Sequence, residues 1–130
     1  MNSDQTTPLE GTKLIGFEPI ATVPELVIVD TVVGDGDEVL AGDTVTAHYT
    51  GALCADGTIF QSSHDTGSPA TFPLGHVIDG WQKGVPGMKV GGTRRLTIPA
   101  AQAYGASSPS PSIPANSDLV FDIELVAISS

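Results

Sequence analysis

Apolar residues recur with a period of two along most of this chain. Within residues 43–53, Val45, Ala47 and Tyr49 fall on one face, with threonine and histidine between them. Residues 93–99 alternate with Leu96 and Ile98 inward, and residues 117–128 with Leu119, Phe121, Ile123, Leu125 and Ala127 inward. Alternation of this kind marks strands with one buried face. Residues 26–33 are a run rich in Val and Ile, and residues 58–63 and 70–74 are shorter apolar stretches; each reads as a strand, the last interrupted by Pro73. One stretch changes period. Ile78, Trp81 and Val85 lie at i, i+3 and i+7, and Pro86-Gly87 follows, where proline lacks a donor and glycine accepts left-handed dihedrals. This predicts about two turns of helix from Ile78 to Val85.

So short a helix is unstable alone and has to be held by the sheet. With no second sheet to cover the strands' apolar face, the helix lies across the concave side and covers part of it. The uncovered part is an apolar hollow floored by Trp81. Turns fall at Gly34-Asp35-Gly36-Asp37, at Asp56-Gly57 and at Gly91-Gly92, with a loop over 64–69. Residues 100–105 form a helical turn or loop carrying Tyr104. The Ser/Pro-rich stretch 106–116 is long enough to be functional or mobile. The polar beginning of the chain reads as a flexible leader, with residues 14–17 as a short docking segment. The division is a leader over 1–25 and one domain over 26–130.

Composition narrows the function. Fifteen glycines and ten prolines in 130 residues suit a turn-rich β domain. A net charge of -10 argues against binding nucleic acid or an anionic membrane surface. Arg94 and Arg95 are neighbours in a strand and point to opposite faces, so they form no basic patch. One cysteine, Cys54, excludes an internal disulfide framework. No apolar run approaches the length of a membrane span, and the N-terminus lacks the basic and apolar regions of a signal peptide. A cytoplasmic monomer is the expectation.

Candidate chemistry is sparse. His48, His64 and His76 are scattered, one cysteine cannot build a zinc site, and the acidic turn over 34–43 fails the calcium-loop pattern, so no metal or cofactor is expected. There is no Gly-x-Ser-x-Gly elbow and no dinucleotide fingerprint. What remains is the aromatic set. Six of the seven aromatics (Tyr49, Phe60, Phe72, Trp81, Tyr104 and Phe121) follow residue 45, and they are either a core or a binding wall.

The order of motifs decides between these. His48-Tyr49-Thr50-Gly51 is followed by Asp56-Gly57 and Phe60-Gln61-Ser62-Ser63, then by Leu74-Gly75 and Val77-Ile78-x-Gly80-Trp81. Gly84-Val85-x-Gly87-Met88-x-Val90-Gly91, Ile98-Pro99, Ala103-Tyr104-Gly105, Ile113-Pro114 and Leu119-x-Phe121-x-x-Glu124-Leu125 complete the series. From about Val27 to Ile128 the chain resembles an FKBP-type peptidyl-prolyl cis/trans isomerase domain. The resemblance implies an α+β fold, a five- or six-stranded antiparallel sheet curved around one short helix, with a proline pocket between them. It implies a catalytic set of Tyr49, Phe60, Trp81, Tyr104 and Phe121. Trp81 would be the floor and Tyr49, Phe60 and Phe121 walls, and Tyr104 would donate its hydroxyl to a substrate carbonyl. It implies a substrate-binding set of Gln61, Val77, Ile78 (through its N–H) and Ile113, the last beside the mouth.

Three positions depart from the common pattern. Gln61 stands in place of an acidic residue, Ala70 in place of a wall aromatic, and Pro109 in place of an occasional histidine. Only His76 separates Gly75 from Val77, so no bulge is expected there. The partners implied are proline-containing peptides and unfolded proteins, and macrolides such as rapamycin. Two other readings stay open from the residues: a non-catalytic module binding proline segments or macrolides, and a folding helper that holds apolar segments.

Overall fold

The computed structural model describes residues 12–14, 17–20, 23–107 and 113–129. Six strands form one antiparallel sheet: β1 (Val27–Val32), β2 (Thr44–Leu53), β3 (Ile59–Ser62), β4 (Ala70–Pro73), β5 (Thr93–Ile98) and β6 (Leu119–Ser129). Their order is β1-β5-β6-β2-β3, and β4 also pairs with β2. β3 and β4 lie in succession along the edge of β2 that β6 leaves free. Pro73, at the end of this edge strand, is where a residue without an N–H is tolerated. The single α-helix among the described residues, α1 (Asp79–Gly84), is one residue shorter at each end than the expected span, because Ile78 and Val85 are its caps.

Two close approaches set the helix on the sheet. A methyl group on Gly80 would lie 2.6 Å from Ile98, and one on Gly84 2.7 Å from Leu96. These glycines are one turn apart and let the helix backbone rest on β5. Arg94, on the same face of β5, closes the other end. Its Nη1 donates to the carbonyl oxygens of Gly84 (2.7 Å) and Pro86 (3.2 Å), and its Nε donates to Asp30 (2.6 Å). Arg95 points the other way and donates to Asp122 (2.7 Å). The expected opposition of the two arginines is thus found, and the inner one caps the helix C-terminus.

The concave face holds the main core, in which Val45, Ala47, Leu96, Leu119, Phe121, Ile123 and Leu125 pack against Trp81 and Val85. Two bulges alter the expected alternation. On β6 the register passes from Ala47↔Leu125 to Thr46↔Ala127, so Val126 is an extra residue. Ala127 therefore turns outward and is exposed, and Ile128 packs against the core in its place. On β3, Gly51 pairs with Gln61 while Ala52 pairs with Ile59, which leaves Phe60 as the extra residue. The apolar run over 26–33 is a strand, but every residue of β1 is exposed at the sheet's edge.

The described part of the expected leader is arranged differently from a loose tail. Leu14, Phe17, Ile20 and Val23 recur every third residue and cover Ala52, Cys54, Ile59 and Val120 on the convex face. The backbone joins in: Leu14 N–H donates to Gly57 O (2.8 Å), Ile59 N–H to Thr12 O (2.8 Å) and Ile20 N–H to Cys54 O (2.7 Å). Residues 1–11, 15, 16, 21 and 22 of the leader and its docking segment lie outside the described residues, as do residues 108–112 of the Ser/Pro loop, with Pro109 among them.

Cys54 is fully buried beneath this strap. Burial, and then the charge of Asp118, push its thiol up to about 12. In the unfolded chain the thiol ionises near pH ~8.5, so the folded state's advantage from this group is whole below that pH and lost as pH rises toward 12. Urea unfolding between pH 8 and 11 is expected to show a steeper loss of stability for the wild type than for Cys54→Ala. Equal slopes would show that the thiol is not protected.

Candidate functional site

The hollow left beside α1 has a volume of about 290 Å³ and is lined by Tyr49, Phe60, Gln61, Phe72, His76, Val77, Ile78, Trp81, Tyr104 and Phe121. That is near the lower bound of ligand pockets, enough for a short apolar group rather than a large cofactor. Eight of the nine residues expected from the sequence are brought together here.

Trp81 lies at the bottom, 4% exposed. Because Gly80 and Gly84 face β5, the adjacent stripe of the helix carries Trp81 and Val85 toward the concave core. Three rings meet the indole edge-on: Phe72 at 4.9 Å, Phe121 at 5.4 Å and Tyr49 at 5.9 Å between centroids. Phe60 meets Phe121 at 5.7 Å and Tyr49 meets Phe72 at 5.4 Å in the same manner. Edge-to-face contacts stabilise such an array beyond its burial and fix each ring's direction. The wall is therefore rigid, and rings of the core also line the hollow.

The bulge at Phe60 explains an arrangement that simple alternation forbids. Phe60 and Gln61 are consecutive in β3, yet both line the hollow. Gly51, opposite them, leaves room: a methyl there would lie 2.6 Å from the Phe60 ring and 2.7 Å from that of Phe121. Ser63 then steadies the neighbouring strand, its Oγ accepting the N–H of Tyr49 at 2.8 Å.

The rim before the helix is extended backbone. Val77 (φ -102, ψ 171) and Ile78 (φ -60, ψ 155) follow the 3-10 turn Leu74–His76. Gln82 Nε2 holds this rim by donating to the Val77 carbonyl at 2.7 Å, and the Ile78 carbonyl accepts the N–H groups of Trp81 and Gln82. The Ile78 N–H makes no hydrogen bond among the described residues. It is a free donor beside an apolar hollow. Tyr104 stands opposite, 38% exposed, after the 3-10 turn Ala100–Gln102. The Tyr49 phenol is held above its ordinary range by burial and then by Tyr104, so it stays protonated at neutral pH.

Ile113 is the exception among the expected residues. It is 6% exposed and packs within the main core rather than lining the hollow. Two lining residues were not in the expected set. Phe72 pairs with Val45, an inward position, so the register of β4 places its ring on the concave side. It supplies the aromatic wall that Ala70, two residues earlier on the same strand face, does not. His76 is the lone residue between Gly75 and Val77, and the shortness of that connection is what holds it at the rim.

The sequence model of the family described as FKBP-type peptidyl-prolyl cis-trans isomerase matches residues 36–126. The chain is 50% identical over 93 residues to peptidyl-prolyl cis-trans isomerase FPR2 of Saccharomyces cerevisiae, covering 70% of this chain and 69% of that protein. It is 46% identical over 110 residues to a probable FK506-binding protein of Corynebacterium glutamicum, covering 84% and 92% respectively. The crystal structure of a peptidyl-prolyl cis-trans isomerase from Pseudomonas syringae pv. tomato superposes with a TM-score of 0.73 at 37% identity, covering 81% of this chain and 76% of that one. The aromatic hollow, the strand order and these likenesses agree: the chain belongs to the FKBP-type peptidyl-prolyl cis-trans isomerase family, and its activity is the isomerisation of X–Pro bonds.

Proposed function

We propose that the hollow over Trp81 is the prolyl site. The observation that carries this is the meeting of six aromatic rings, those of Tyr49, Phe60, Phe72, Trp81, Tyr104 and Phe121, and one free backbone donor, Ile78 N–H, around a space of about 290 Å³. The proline ring sits on the Trp81 indole, between Tyr49, Phe60, Phe72 and Phe121. Ile78 N–H and the Tyr104 hydroxyl donate to carbonyl oxygens of the bound segment, and Gln61 and His76 meet the flanking residues at the rim.

The chemistry asks little of acids or bases. An X–Pro bond turns over a barrier of about 18–20 kcal/mol because the twisted amide loses its resonance. No bond breaks and no proton is transferred. Resonance places charge on the carbonyl oxygen, and twisting withdraws it, so the twisted amide is the less polar species and gains relative to the planar forms in a dry apolar hollow. A rigid wall that fits the twisted shape better than either planar one adds to this. Together they have to supply about 5–6 kcal/mol for a 10⁴-fold acceleration.

The partners are proline-containing peptides and unfolded proteins, taken up by the monomer. A macrolide such as rapamycin occupies the same space by presenting a proline-like ring. Support for this comes from the relative named for FK506 binding and from the unbroken apolar wall that Phe72 completes.

Tyr104→Phe tests the assignment gently. It removes one exposed hydroxyl and leaves the ring in place. Turnover of a short X–Pro peptide is expected to fall about three- to tenfold, the scale of one lost hydrogen bond, with unfolding free energy within about 0.5 kcal/mol of wild type. An unchanged rate would remove the hydroxyl from the site.

A further inference from the structure

We infer that Asp118 is a positioning residue for the prolyl site: its carboxylate ties the N-terminal strap to the turn that presents Tyr104. The inference rests on the proposed role of Tyr104. Asp118 stands just before β6, half-buried, and all three of its oxygens are used. Oδ1 accepts the N–H of Ala100 at 2.8 Å, Oδ2 accepts the N–H of Val23 at 3.0 Å, and the carbonyl oxygen accepts the N–H of Cys54 at 3.0 Å. One residue thus joins the strap, the β2–β3 turn and the segment after β5.

Ala100 is the residue on which the Tyr104 turn is built. It opens the 3-10 turn Ala100–Gln102, whose N-cap, Pro99, makes no side-chain cap. Asp118 supplies that cap from across the fold. The Ala100 carbonyl in turn accepts the N–H groups of Ala103 (2.9 Å) and Gly105 (2.8 Å), which flank Tyr104, and the Gly105 carbonyl accepts the N–H of Asn116 (2.7 Å). The bonds run from 118 to 100, from 100 to 105, and from 105 to 116, closing a ring of backbone with Tyr104 on its rim. The Tyr104 hydroxyl makes no hydrogen bond with a described residue, so the ring's backbone sets its direction. A carboxylate is needed because both oxygens face backbone donors. An asparagine would turn its own donor toward one of them.

The strap is anchored well beyond this point. Phe17 lies under the Arg95 guanidinium at 5.8 Å, and Ile20 N–H binds Cys54 O at 2.7 Å. The position of the Tyr104 turn is therefore referred to the convex face of the sheet, and through the Cys54 turn to the hairpin that carries Phe60 and Gln61.

The test is a double-mutant cycle on the full chain, read as kcat and KM for a short X–Pro peptide, with urea unfolding in parallel. Asp118→Asn is expected to lower kcat about fivefold with KM within twofold, and to lower it by less than twofold in a Tyr104→Phe background, since misplacing a contacting group acts only while that group is present. Ala100→Pro is the second variant. It deletes the Ala100 donor at a first helical position, where proline is accommodated, and leaves the Val23 bond intact. It is expected to reproduce the same loss and the same dependence on Tyr104, and it decides the matter if Asp118→Asn fails to fold. Equal losses with and without the Tyr104 hydroxyl, or a folded Asp118→Asn protein with wild-type kcat, would overturn the inference. The wild-type rate reads the activity itself and Tyr104→Phe alone reads the Tyr104 role, so failure of either is distinguishable from failure at Asp118.

Discussion

Trp81→Ala is expected to destabilise the protein by about 3–5 kcal/mol and to abolish measurable isomerase activity, two losses with one origin. The indole is 4% exposed and is in edge contact with Tyr49, Phe72 and Phe121. Its removal leaves a cavity continuous with the hollow, opens the prolyl floor to water and frees three rings whose directions it fixed. A domain of this size has a total stability of about 5–15 kcal/mol, so the variant stays folded only at low temperature and low denaturant. Urea unfolding and peptide exchange on the folded fraction check both parts. A folded Trp81→Ala protein with wild-type turnover would place the reaction elsewhere.

The second large effect is expected at a residue with no side chain. Gly51→Ala introduces a methyl group 2.6 Å from the Phe60 ring and 2.7 Å from the Phe121 ring. Neither ring can retreat freely, because each is braced edge-on by the other and Phe121 by Trp81. The strand or the rings have to shift, at a cost of about 1–3 kcal/mol. The shift falls on the wall of the hollow, so turnover is expected to drop at least tenfold while the protein remains folded. The comparison that isolates this effect is Gly67→Ala. Gly67 has a positive φ of 80° but open space around its Cα, so alanine there strains the backbone without touching the wall. Equal activity losses at the two glycines would contradict the role given to Gly51.

Much of this architecture is legible in the chain itself. Alternation located β2, β5 and β6 and their inward faces, because each is half-buried and a two-residue period is all such a strand needs. The change of period at Ile78, Trp81 and Val85, followed by Pro86-Gly87, located the helix to within one residue at each end. What alternation could not show was where it breaks. The bulge at Val126 turns Ala127 out and Ile128 in, and the bulge at Phe60 lets Phe60 and Gln61 share the hollow. A bulge is a matter of how one strand pairs with another, and neither sequence segment by itself carries a local sign of it.

The same holds for the site. The family motifs named Tyr49, Phe60, Trp81, Tyr104 and Phe121, which meet as expected. Phe72 stood among the six clustered aromatics but was given no place in the site, and it took the register of β4 on β2 to show that its ring fills the wall near Ala70. Ile113, set by motif beside the mouth, is buried in the main core and does not line the hollow. The strap over Cys54 was only partly legible: residues 14–17 read as a docking segment, but the continuation to Ile20 and Val23, apolar residues three apart, fits neither a helix nor a strand pattern.

The central claim is that the hollow over Trp81 accelerates X–Pro rotation. The direct measurement is the cis-to-trans exchange rate of a short X–Pro peptide by NMR, with and without rapamycin. Uncatalysed exchange takes tens to hundreds of seconds. Acceleration approaching about 10⁴-fold at saturating enzyme, abolished by the macrolide, is the predicted result. A well-folded protein that leaves the exchange at its uncatalysed rate, and to which the macrolide does not bind, would contradict the account.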